Sequence, residues 1–268
     1  GTIVEIPTSI ESDFKITPEQ LEKAITPKTK LIMFSSPCNP TGTVYTKDEL
    51  KALAEVVARH ENVYIISDEI YEHINFTGQH ASMAQFDFIY DRVVTVNGLS
   101  KAYAMTGWRL GYIGAPLWIA KACDKIQGQY TSATCSITQR AAIAALEGDV
   151  ETTLTMKAAF LRRRDLVFQM MQNIKGLKFN NPQGAFYFFP DVSNYFGKTY
   201  NGNTINNADD MAMYLLNEGN LSVVTGSAFG DQNCIRFSYA TSDDKLVEAM
   251  KRLKIALEKL ITQEIPVS

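Results

Sequence analysis

Three continuous apolar runs set the rhythm of the first half of the chain: Leu31–Phe34, Val63–Ile66 and Val93–Val96. Runs of this kind, rather than strict alternation, predict strands buried on both faces, as in a parallel sheet. Thr2–Ile6 alternates and reads as a further strand. Between the runs the period changes to that of a helix. Thr17-Pro18-Glu19-Gln20 opens a short helix to about Ile25, with Thr17 as N-cap and Pro18 in the first turn. Thr46-Lys47-Asp48-Glu49 is a capping box, and behind it Leu50, Leu53, Ala54 and Val57 share one helical face. This strand–helix–strand order predicts a three-layer α/β/α domain around a mostly parallel sheet.

The second half reads differently. Leu117–Gln129 and Ser136–Leu146 are predicted helices, with Gln129–Ser136 a polar loop between them. A long helix from about Val150 to Asn173 carries Arg162-Arg163-Arg164, a run that reads as a solvated face or a partner for a helix dipole. Strands at Ala185–Phe189, Leu221–Val224 and Cys234–Tyr239 follow, with helices at Ala208–Glu218 and Asp243–Leu260. The expected division is a large domain, 1–158, and a smaller α+β domain, 159–268. Phe186, Tyr187, Phe188 and Phe189 read as core and interface filling, and Asn201–Asn207 as a polar loop without functional signal.

Composition narrows the function classes. With 268 residues, 46% of them hydrophobic, the chain can bury a core large enough for two domains. A net charge of -3 offers nothing to nucleic acid or an anionic membrane surface. No apolar run approaches the roughly 18–20 residues of a membrane span. Cys38, Cys123, Cys135 and Cys234 show no C-x-x-C spacing and read as reduced thiols of a cytoplasmic protein. His60, His73 and His80 are too scattered to predict a metal site.

The chemistry sits where the strands end. Asn39, Asp68 and Lys101 each follow a predicted strand, one βαβ unit of roughly 30 residues apart. Right-handed connections would bring an amide, a carboxylate and an amine to one edge of the sheet, where open α/β sheets bind ligands. A metal reading lacks donors, since only Glu69 is at hand and it should face away from Asp68. A pyridoxal phosphate reading uses every member. Lys101 forms an imine, and Asp68 keeps the pyridine nitrogen protonated. Asn39 and Tyr71 hydrogen-bond the phenolic oxygen, and Arg109 takes the phosphate.

Asn39-Pro40-Thr41-Gly42, Ser67-Asp68-Glu69-Ile70-Tyr71 and Ser100-Lys101, followed by Gly107-Trp108-Arg109-Leu110-Gly111, resemble the signature of class I/II aminotransferases, the fold-type-I pyridoxal phosphate enzymes. Pro182-Gln183-Gly184-Ala185-Phe186-Tyr187, Gly226-Ser227-Ala228-Phe229-Gly230 and Ile235-Arg236-Phe237-Ser238-Tyr239-Ala240 resemble the bacterial aspartate aminotransferase type within that family. The resemblance runs from Gly1 to about Leu260. It implies that Lys101 carries the cofactor and moves the proton between the substrate Cα and cofactor C4′. It also implies that Arg236 grips the substrate α-carboxylate, with Asn39 near both cofactor and substrate. The implied reaction is transamination of an L-amino acid, aspartate with 2-oxoglutarate as acceptor, in a homodimer. Aromatic amino acids or prephenate are alternative substrates, and a pyridoxal phosphate lyase or a non-catalytic regulatory module are the other readings of the same scaffold. One departure stands out: where many relatives have a serine to help hold the phosphate, this chain has Gly98. The resemblance also implies a phosphate-binding turn and a ring-stacking aromatic ahead of Gly1. The chain is therefore expected to be a portion of a longer one, weak in cofactor binding and prone to aggregate alone.

Overall fold

The computed structural model describes residues 1–262. The chain divides into two compact units: Gly1–Cys38, Thr43–Ala158 and Gln183–Ala185 in the first, and Asn39–Gly42, Ala159–Pro182 and Phe186–Ser268 in the second.

In the first unit, helix α1 (Pro18–Ala24) begins at Thr17, whose hydroxyl accepts the Gln20 N–H while the Gln20 side chain returns to the Thr17 N–H. Strand β1 (Leu31–Ser35) is followed by α2 (Lys47–Ala58), which starts at the Thr46–Glu49 capping box. β2 (Tyr64–Asp68), β3 (Val93–Gly98) and β4 (Gly111–Gly114) complete one sheet in the order β1-β2-β3-β4. The first three strands are parallel, with Ser35 opposite Asp68 and Asp68 opposite Val96; β4 runs antiparallel to β3. Helices α3 (Leu117–Tyr130) and α4 (Ser136–Glu147) follow, and the division between units falls within α5 (Glu151–Met171).

The core lies between α2 and one face of the sheet. Leu50, Leu53, Ala54 and Val57 of α2 meet Ile65 and Val93, with Ile32 and Phe34 packed at the margin. Each fully buried Leu or Val stabilises this layer by about 1.5–3 kcal/mol. The other face is thinly covered: Trp118 of α3 meets Tyr64 edge-on at 5.7 Å, but no residue of α3 is buried. On β1 the outward side chains Leu31 and Met33 are exposed, Met33 to 71%. Thr2–Ile6 forms no strand, and Ile3 is 86% exposed. Alternation alone does not make a strand; a pairing edge does, and these residues have none.

In the second unit, β5 (Tyr187–Phe188), β8 (Val224–Thr225) and β9 (Ile235–Ser238) form an antiparallel sheet in the order β5-β9-β8. A two-residue ribbon, β6 (Thr199–Tyr200) with β7 (Asn203–Thr204), lies within the polar segment read as a loop. Helix α6 (Ala208–Gly219), capped by Asn207, packs on α7 (Asp243–Thr262). Phe188, Ile235, Leu215, Leu246 and Leu253 are fully buried. Leu221 and Ser222 are not in a strand. Asn220 ends α6 in the left-handed region (φ 47), and the Leu221 N–H bonds the Leu215 carbonyl, so the chain is still closing its helix where a strand was expected. Arg162 and Arg163 both pair with Asp243 at the start of α7, which holds the Asp243 carboxyl below its ordinary range. The arginine run is thus a structural clamp.

Candidate active site

In the first unit the parallel strands deliver their polar residues to one sheet edge. At the end of β2, Asp68 Oδ1 accepts the Ile70 N–H at 3.1 Å, an Asx turn that bends the chain as the strand stops. The Glu69 N–H still bonds the Val96 carbonyl at 2.9 Å, so the ladder persists one residue further. Tyr71 follows, only 3% exposed, and the Lys101 Nζ lies over its ring at 5.7 Å. Lys101 comes three residues after the end of β3, in a tightly wound turn where the Leu99 carbonyl takes the N–H groups of both Tyr103 and Met105.

The exit of β3 is tied to the segment beyond β2. Asn97 Nδ2 donates to Glu72 Oε1 at 2.7 Å, and Asn97 Oδ1 accepts the Gly98 N–H at 2.7 Å. A Cβ at Gly98 would lie 2.8 Å from the Leu110 carbonyl oxygen and 3.0 Å from Gly111 Cα. Close approach of β4 therefore explains why glycine stands where many relatives were expected to have serine.

Arg109 is also in this unit, in the left-handed conformation (φ 56) after the turn Thr106–Trp108. Its Nη1 donates to the Thr106 carbonyl at 2.8 Å. It lines an open cavity of about 720 Å3 together with Trp108, Thr131, Thr134 and Cys135. Cys135 sits at the start of α4, where the N–H groups of Thr138 and Ile137 hold its thiol below the usual range. Asp68, Tyr71 and Lys101 do not line that cavity.

In the second unit, Arg236 projects from β9. Its Nη1 donates to Asn39 Oδ1 at 2.8 Å, and its Cζ lies 4.5 Å from the Tyr187 ring centroid and 4.9 Å from that of Phe229. Its Nε is buried without a hydrogen-bond partner among the described residues. The Asn39–Gly42 turn is held by Asn180, whose Nδ2 donates to the Thr41 carbonyl at 3.3 Å.

Sequence reading did not foresee two features. Tyr187 was expected only to fill space, yet it flanks Arg236; its motif and that of Phe229 were visible, but their meeting was not. Glu69 accepts from Ser67 Oγ (3.0 Å) and Ser82 Oγ (2.7 Å) and lies 2.7 Å from His80 Nε2. Ligand atoms of Glu69, Glu72 and His80 lie within 4.8 Å of one another. Nothing in their spacing signalled that cluster.

In the first unit β2 ends in a carboxylate and an amine lies over a buried phenol ring; in the second an arginine with two aromatic neighbours stands on an antiparallel sheet. Residues 1–253 match the family described as aminotransferase class I and II, and the chain belongs to that family. The family is pyridoxal-phosphate-dependent. The chain is 47% identical over 262 residues to the bifunctional aspartate aminotransferase and glutamate/aspartate-prephenate aminotransferase of Petunia hybrida, covering 96% of this chain and 55% of that protein. It is 49% identical over 264 residues to the aspartate/prephenate aminotransferase of Cereibacter sphaeroides, covering 95% of this chain and 64% of that one. The crystal structure of the aspartate aminotransferase from Rhizobium meliloti superposes with a TM-score of 0.90 at 41% identity, over 94% of this chain and 64% of that one. The chain thus spans about half to two thirds of the length of these relatives.

Proposed function

We propose that this protein is an aminotransferase that uses pyridoxal phosphate to move the amino group of an L-amino acid, aspartate first, onto 2-oxoglutarate. The observation that carries the reading is the Lys101 amine over the buried Tyr71 ring, at the sheet edge where β2 ends in Asp68. The donor set fits the cofactor: an amine for its aldehyde, a carboxylate for its ring nitrogen, a phenol for its ring oxygen and Arg109 for its phosphate. When bound, pyridoxal phosphate supplies a carbonyl that condenses with amines and a ring that accepts the electrons of a broken Cα–H bond. In this reading Lys101 Nζ takes the proton from the substrate Cα and later returns one. Asp68 holds the ring nitrogen protonated, and Tyr71 and Asn39 hydrogen-bond the ring oxygen. Arg236 takes the α-carboxylate, with Asn39 fixing one side of its fork.

Residues 1–158 would bind the cofactor and 159–268 form the smaller domain. The printed names of the relatives support aspartate as donor, and those of two of them support prephenate as a second acceptor. We read the working form as a cytoplasmic homodimer. What supports a partner is the exposed apolar surface on α3 and α4, including Trp118, Ile126 and Ile137. No described helix is long and apolar enough to cross a membrane.

The test has two arms. Borohydride treatment of the protein with pyridoxal phosphate should fix the cofactor to one lysine, which peptide mapping should identify as Lys101. A panel of amino donors should convert to oxo acids as 2-oxoglutarate or prephenate is aminated. Label on another lysine would overturn the site. Loss of carbon dioxide or of a β-substituent without amino transfer would make the enzyme a lyase.

A further inference from the structure

Two motifs recognised in the sequence, Pro182–Tyr187 and Gly226–Gly230, have no role in the scheme above. In the structure each sends one aromatic ring to the same cation. We propose that Tyr187 and Phe229 are positioning residues that hold the Arg236 guanidinium for a substrate carboxylate. The inference rests on Arg236 being the group that takes that carboxylate.

A guanidinium is planar, with its donors around the rim. Cζ lies over both rings, 4.5 and 4.9 Å from their centroids, within the roughly 6 Å of a cation–π contact. Asn39 Oδ1 takes a hydrogen from Nη1 at 2.8 Å, which anchors one corner of the fork as well. Among the described residues no carboxylate pairs with Arg236. A neighbouring Asp or Glu would hold the cation just as firmly but would compete with the substrate for its fork. Aromatic rings attract the charge without neutralising it, which is what a receptor for an incoming anion requires.

The motif chemistry explains why each ring sits where it does. Gly226 opens the turn that carries Phe229; a Cβ there would lie 2.2 Å from the carbonyl oxygens of both Asp231 and Cys234. Thr225 Oγ1 accepts the Ser227 N–H, and Gly230, at φ 83, closes the turn. Phe189, itself buried, meets Phe229 edge-on at 5.9 Å. Tyr187 is fixed by the pairing of β5 with β9, the strand that carries Arg236. Glycines shape the turn and the phenylalanine uses it.

The experiment measures KM and kcat of the protein for an amino donor and an oxo acid, in Phe229→Leu, Phe229→Tyr, Arg236→Lys and the Arg236→Lys/Phe229→Leu double variant. Phe229→Leu should raise both KM values about tenfold with kcat held within about twofold. Phe229→Tyr, which keeps the ring, should stay within about twofold of the parent. In the Arg236→Lys background the leucine should add less than about twofold, because its effect acts through the guanidinium. If Phe229→Leu fails to fold by circular dichroism, Phe229→Met replaces it, with the inhibition constant of an unreactive carboxylate as the readout. Unchanged KM values in the leucine or methionine variant, or effects that multiply fully in the double variant, would overturn the positioning role. Unchanged KM values in Arg236→Lys itself would instead overturn the carboxylate assignment beneath it.

Discussion

Two cations, one in each unit, show how different surroundings suit different tasks. Lys101 follows the end of a parallel strand, with its Nζ over the Tyr71 ring. Arg236, on a strand of an antiparallel sheet, has its Cζ over two rings and a hydrogen bond from Nη1 to an amide oxygen. An ammonium on a flexible stem can lose its proton and move, whereas a guanidinium keeps its charge at any working pH and presents a rigid fork. An amine that can give up its proton suits bond-making and proton transfer, and a permanently charged, rigid fork suits holding. Damage to the first should therefore appear in kcat and damage to the second in KM.

The largest expected effect is at Lys101. Lys101→Ala should lower kcat by about a thousandfold or more. Lys101→Arg should be as inactive as the alanine variant, because a guanidinium preserves the charge but cannot supply the amine. Measurable turnover in Lys101→Arg near that of the parent would erase the distinction between the two cations. Asp68→Asn comes next. It keeps the Asx turn to the Ile70 N–H but removes the charge, so single-turnover Cα–H cleavage should slow about a hundredfold while the fold, followed by circular dichroism, persists. An unchanged rate would assign Asp68 to the turn alone.

Arg236→Lys should leave kcat nearly intact and raise KM about 10- to 100-fold for every amino donor, since all share the α-carboxylate. A defect confined to dicarboxylic donors would move Arg236 to the side-chain end of the substrate and break the comparison at its second member.

What the sequence disclosed follows the range of the interactions. Thr46 and Glu49 cap α2 as their spacing predicted, and its buried face includes Leu50, Leu53, Ala54 and Val57, because capping and amphipathicity are local. The parallel order of β1, β2 and β3 was also legible, and with it the shared edge reached by the ends of β2 and β3. The antiparallel β4 was not, because Gly111–Gly114 is short and its pairing with β3 is decided by the glycine-permitted approach at Gly98. The surroundings of Arg236 draw on Asn39, Tyr187 and Phe229, segments far apart in the chain. Periodicity carries no information about such meetings. Family motifs named the arginine, but not the rings that flank it.

The smallest expected effect concerns pH, and it belongs to the surroundings of Lys101. His73 Nε2 lies 3.3 Å from Glu72 Oε1, and its ring packs edge-on against Tyr103, two residues past Lys101. The hydrogen bond that His73 donates to Glu72 holds the histidine above its ordinary value of 6.5. The same bond is the main cause holding Glu72 below its ordinary value of 4.5. A raised histidine contributes stability below its unfolded value and loses it as pH rises through the folded one. A lowered carboxyl contributes above its unfolded value and loses it as pH falls through the folded one. The pair is therefore at full strength between 4.5 and 6.5. His73 is 43% exposed, so solvent screening limits the gain to about 0.5 kcal/mol. His73→Gln should accordingly lower Tm by about 1–2 °C near pH 5.5 and by less near pH 8.5. Equal losses at the two pH values would assign the effect to the lost ring contact with Tyr103 rather than to charge. Arg236→Lys, whose partners are an amide and two rings, should show no such difference between the two pH values.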